Sequence, residues 1–259
     1  MRGSAGVMAL VLAETVAGTT ALLWLSPLWG EVRHGFFKLV GSILVVASAA
    51  TWFVARAAEV PVDEAGAWSV RLALATAAVL VVVTALLFAR RETAARTLGI
   101  ASAVPATAML VPMSLTGAEA VAISLFQVVA GAALLGSVTV GLLIGHWYLT
   151  DRKLTRRPID RATTIMLVSV FLSAAAVVAG GFEATADTNT AINPLLTTGA
   201  LAPWIALGMV GSTLLIGILV KATLRGERAS AVQSATGFYY LAVVTAFTAE
   251  VAVKTRFLG

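Results

Sequence analysis

The sequence has no cysteine, only two histidines, three tyrosines, and few charged side chains, which make up 12% of its 259 residues. Without cysteine there are no disulfides, thiolate metal sites, iron–sulfur ligation or cysteine nucleophiles. A phosphate-binding glycine loop, a Ser–His–Asp arrangement and an HExxH pattern are also missing from the sequence. No stretch between apolar runs exceeds about 20 residues, too short for a separate soluble catalytic domain. Low-complexity tails are absent, and the two halves do not align as a sequence repeat.

Apolar side chains fill the chain instead. They make up 59% of residues, and the mean hydropathy is +0.94. A water-soluble fold cannot cover so much apolar surface. The runs are roughly 18 to 25 residues long, the length that crosses a hydrocarbon core about 30 Å thick. Spans are expected at 7–28, 36–57, 67–89, 97–115, 118–149, 163–181, 201–224 and 231–253. The fourth carries Pro105 and Pro112 and is expected to kink or to enter the membrane only partly. The first has no small-residue cleavage site and carries Glu14, so it reads as a retained span rather than a signal peptide. The fold class is therefore an all-α integral membrane protein, a polytopic bundle of about eight transmembrane helices forming one domain over residues 1–259.

The pI is near 10.1 and the net charge is +5. In such a chain the cations are topology signals rather than a nucleic-acid surface. One set of loops holds Arg33, Lys38, Arg90, Arg91, Arg96, Arg152, Lys153, Arg156, Arg157, Arg161, Lys221, Arg225 and Arg228. The other holds Arg2, Arg56, Arg71, Lys254 and Arg256, with the acids Glu59, Asp63, Glu64, Glu183 and Asp187. The first set is expected to face the cytoplasm, with both termini on the outer side of a multi-pass inner or plasma membrane.

Two constellations can carry chemistry. The fifth span has Gly131, Gly136, Gly141 and Gly145, and it ends in His146-Trp147-Tyr148 before Arg152. Glycines admit a close helix, or a flat ligand. The aromatic end reads as an interfacial anchor, or as a site where His146, Trp147, Tyr148 and Arg152 hold a quinone headgroup. The orientation puts His34 at the same depth, so His34 and His146 are expected to serve as a bis-imidazole pair for haem b iron, with arginines near its propionates. The second constellation is Glu14, Glu250 and the mid-span Gln127, a proton or ion path. In a plainer reading Glu250 pairs with Lys254 one helical turn on, and Glu14 hydrogen-bonds a neighbouring helix. The polar stretch from Phe182 to Pro194 is a possible contact surface for an external partner.

Three functions follow as expectations. The first is a non-catalytic membrane subunit of a respiratory-type oxidoreductase complex, binding a quinone or one haem near the cytoplasmic face or anchoring a redox partner. The second is an ion-coupled permease using Glu14 and Glu250. The third is a structural subunit that packs lipids and partner chains. In each the partners are membrane lipids and other protein subunits, not nucleic acid.

Overall fold

The computed structural model describes residues 3–58, 64–116, 120–151, 154–181, 201–226 and 230–255. Arg152 and the stretch from Phe182 to Pro194 lie outside them. Every element among the described residues is a helix: α1 (Gly3–Leu25), α2 (Leu28–Glu31), α3 (His34–Ala57), α4 (Glu64–Phe88), α5 (Glu92–Ala108), α6 (Leu110–Leu115), α7 (Val121–Thr150), α8 (Arg157–Ala179), α9 (Leu201–Leu224) and α10 (Ser230–Lys254). Counting Glu92–Leu115 as one, eight are long and apolar enough to cross a membrane.

The proline-bearing fourth span begins earlier than its apolar run implies, at Glu92, because Glu92 occupies the first turn, where an acid meets the positive end of the helix. It breaks at Met109. Pro112 has no N–H to give the Ala108 carbonyl, so the ladder ends there and a separate turn, α6, takes over. Ser124 then donates to the Ser114 carbonyl at 2.8 Å, closing the tight passage into α7.

The turn from α4 to α5 is as short. Arg91 N–H bonds the Leu86 carbonyl and Arg90 N–H the Leu87 carbonyl, the paired bonds of a Schellman cap. The motif needs a left-handed residue, and Arg90 supplies it with φ +57°.

Neighbouring helices form two rings. The first joins α1 to α3, α3 to α4, α4 to α5 and α5 back to α1; the second joins α7, α8, α9 and α10 in the same order. Each half is thus an up-and-down four-helix bundle, and the first helices of the two halves, α1 and α7, pack against each other. These two are the most enclosed spans, each 72% buried over its apolar stretch, against 28–50% elsewhere. Small residues allow it. A Cβ on Gly136 would overlap the backbone of Gly18, and one on Gly18 would overlap Ala132 and Gly136. Between lipid-like surfaces, such close backbone approach replaces the hydrophobic drive that water supplies to soluble folds.

Candidate functional site

The central feature is an ionic triad where α1, α7 and α10 meet. Glu250 and Lys254 are four residues apart on α10, so their side chains lie one above the other on one face, and Lys254 Nζ donates to Glu250 Oε2 at 2.9 Å. The same ammonium lies 2.7 Å from Glu14 Oε1 on α1. Lys254 and Glu14 are fully buried, and Glu250 is 2% exposed. Lys254, assigned above to an outer loop, is instead a core residue and has to be removed from the cations that mark topology.

The partners of the triad are supplied by α7 and α8. Gly131 on α7 leaves the volume the two acids occupy, since a Cβ there would stand 2.5 Å from Glu250 Oε2 and 2.8 Å from Glu14 Oε1. Ser173 on α8 has its hydroxyl 3.3 Å from Glu250 Oε1 and 3.4 Å from the Ala130 carbonyl, so its single proton is shared between two acceptors. One turn along α7 from Gly131, Gln127 donates from Nε2 to the Ala176 carbonyl at 3.0 Å, while its Oε1 is buried with no hydrogen-bond partner among the described residues. The cluster therefore gathers Glu14, Glu250 and, one turn away, Gln127. Both halves of the molecule contribute to it.

The remaining glycines of α7 are filled by protein. Gly141 receives the Tyr239 ring, and Gly145 the Thr236 hydroxyl, both from α10. Tyr239 is itself fully buried, its hydroxyl 2.9 Å from Thr163 Oγ1 on α8.

A second cluster occupies the opposite, basic end of the bundle. Trp24, Trp29, Phe37 and Phe36 stack in sequence with centroid separations of 4.7–5.6 Å, and Phe36 meets Trp147 edge-on at 6.0 Å. Ion pairs clamp the surrounding loops: Arg33 to Asp151 at 3.1 Å, and Arg161 to both Glu31 oxygens at 3.0 and 2.9 Å. The indole N–H groups of Trp24 and Trp147 are buried without hydrogen-bond partners among the described residues. Leaving such a donor unmade costs about 1–3 kcal/mol.

The two histidines have separate surroundings here. His34 stacks on Trp29 at 4.7 Å and places Nδ1 2.6 Å from Glu92 Oε1 on α5. His146 places Nδ1 3.4 Å from the Tyr240 hydroxyl on α10. One imidazole is engaged from the first half, the other from the second. Tyr148 packs half-buried against the core.

Ser173 and Trp24 are side chains that the sequence reading did not name, and Lys254 was named in the plainer reading, as the partner of Glu250 that it is here. Only Lys254 carried a signal, its spacing of four from Glu250 inside an apolar helix. No family model, curated protein or solved structure matches the chain.

Proposed function

We propose that the protein is an integral membrane subunit that passes protons through its core at Glu14, Glu250 and Lys254. The observation that carries the reading is charge balance. Two carboxylates share one ammonium, so with all three ionised the buried cluster bears a net charge of −1. An uncompensated charge in such surroundings costs several kcal/mol. One added proton cancels it, and the shared arrangement lets that proton reside on either acid. Among the described residues, the other charged groups on helices packed around the triad lie at helix ends. Lys38, Glu92, Arg96, Arg157, Asp160, Arg161 and Lys221 sit toward the basic end, and Arg56 is exposed over the Trp52 ring.

Polar steps flank the site. Ser173 and Gln127 lead toward the end of α7 from which the chain enters it. The buried hydroxyls of Thr19 and Thr20, which have no hydrogen-bond partner among the described residues, continue along α1 toward the basic end. The position also supports the reading, because the triad lies where the two halves of the molecule meet, with Glu14 from the first and Glu250 and Lys254 from the second. With the basic end cytoplasmic, both termini lie outside and the triad occupies the outer half of the membrane.

The second reading makes this subunit part of an electron-transfer complex with a quinone at the basic end. The two partnerless indole N–H groups, in an aromatic cluster edged by His34 and Arg161, favour it. A quinone carbonyl accepts such donors, and stacked rings suit its flat face. The two histidines are engaged by different halves, His34 by Glu92 and His146 by Tyr240. The readings combine as quinone-linked proton movement.

The test is proton flux into proteoliposomes carrying an internal pH dye, under an imposed membrane potential, with and without a reduced quinone analogue. Wild type is expected to acidify the lumen and the Glu14→Gln/Glu250→Gln double variant to fall to the rate of empty vesicles. Equal flux in both proteins sinks the proton reading. An organic extract and an absorption spectrum of the same preparation test the second: neither quinone nor haem in it would count against an electron-transfer role.

A further inference from the structure

Away from both clusters, a cavity of about 540 Å³ opens between α8 and α9 at the basic end. Its volume falls within the range of small-ligand sites. Leu167 and Ile218 form its apolar wall, and Asp160, Lys221 and Arg225 its polar rim. Lys221 Nζ reaches across from α9 to Asp160 Oδ1 on α8 at 2.6 Å and to the Asp160 carbonyl at 3.1 Å. That contact neutralises one cation and leaves Arg225, exposed at the turn after α9, in excess.

Nearby carbonyls do not repel an anion here. The last carbonyls of α9 would present partial negative charge to the cavity, but Arg156 donates to the Leu224 and Gly226 carbonyls and covers them. The rim thus carries a net positive potential over an apolar wall. Ile218 and Leu219 beside it are exposed on the outside of the bundle, the surface that faces acyl chains.

We propose that this cavity is a binding site for an anionic phospholipid, with the phosphate held between Lys221 and Arg225 and an acyl chain lying along Leu167 and Ile218. Charge complementarity and the amphipathic lining select that occupant. A zwitterionic lipid gains no net attraction from the rim, and a free phosphate leaves the apolar wall unused. A juxtamembrane cation contributes enough to favour an anionic lipid by about fivefold. The site is independent of the proton reading.

The experiment is native mass spectrometry of the intact chain released from nanodiscs containing equal phosphatidylglycerol and phosphatidylcholine. Wild type is expected to retain one phosphatidylglycerol in preference to phosphatidylcholine. The Lys221→Gln/Arg225→Gln variant should lose that preference by about fivefold or more. Ile218→Trp, which fills the wall while keeping both cations, should lose retention of either lipid at this site. Circular dichroism establishes that each variant is folded before its adducts are counted. Equal retention of the two lipids by wild type overturns the proposal, as does unchanged preference in both variants. Inorganic phosphate alone reproducing the thermal stabilisation given by phosphatidylglycerol overturns it too, by assigning the cations to a free anion.

Discussion

Lys254 Nζ stands 2.7 Å from Glu14 Oε1, so the last residue of α10 is tied to the interior of α1 by a fully buried ion pair. Glu250 completes the arrangement from one turn below. The contact links the two four-helix halves at a point where Ser173 and Gln127 are the neighbouring polar side chains. Stability and proposed chemistry therefore depend on the same three side chains, and they respond differently to substitution.

Removing the ammonium takes away the cation that Glu14 and Glu250 share. Lys254→Met is expected to lower the stability of the purified protein by roughly 3 kcal/mol or more. Glu14→Gln in the same background should recover much of that loss, because it removes one uncompensated charge. Thermal unfolding in a single detergent, run as a double-mutant cycle, measures the coupling. Additive losses would show that Glu14 and Lys254 do not share a charge.

Glycines on the helices divide into those that touch a neighbour and those that do not. Gly136→Ala forces a Cβ into the Gly18 backbone, and the separation of α1 from α7 should cost about 1–3 kcal/mol. Gly211→Ala on α9 meets nothing within 4 Å, so it should be neutral or stabilising by up to about 1 kcal/mol through helix propensity. Gly131→Ala lies between these, since it displaces flexible carboxylates rather than backbone, and proton flux should suffer more than folding. Midpoints of unfolding for the three variants rank them. Gly136→Ala proving as stable as Gly211→Ala would refute the packing assigned to α1 and α7.

Arg90 holds a left-handed conformation at a position where glycine pays no steric cost. Arg90→Gly is expected to stabilise the α4–α5 turn by about 1 kcal/mol. A lower unfolding temperature for this variant would mean that the Arg90 side chain contributes more than its backbone strain removes.

Gln127 donates one bond, and its Oε1 meets no donor among the described residues. Gln127→Leu replaces an imperfectly satisfied amide by an apolar group of similar size, so stability should change by no more than about 1 kcal/mol. Proton flux in proteoliposomes should nonetheless fall, because the variant interrupts the polar steps from Ser173. Undiminished flux would remove Gln127 from the route.

Much of the architecture was legible along the chain, and for a definite reason. A bilayer demands apolar runs of set length, and such runs are local, so the helices near 201–224 and 231–253 are found within a residue or so of their predicted ends. The Glu250–Lys254 spacing is local as well, being one turn of one helix. The break at Met109 follows from the two prolines around it.

Whatever depends on which helix lies beside which was decided by tertiary packing. The sequence pairs Lys254 with Glu250 but also counts it among the outer cations, and that Glu14 shares the same ammonium emerges only when α1 lies beside α10, because topology rules count charges without knowing their partners. The likeness in depth of His34 and His146 says nothing about direction, and the helices they meet, α5 and α10, belong to different halves. The two rings of four helices left no repeat in the sequence, since lipid-facing positions accept almost any apolar residue. The interface keeps its signature only at small residues such as Gly18, Gly131 and Gly136, whose neighbours emerge once the backbones are in contact.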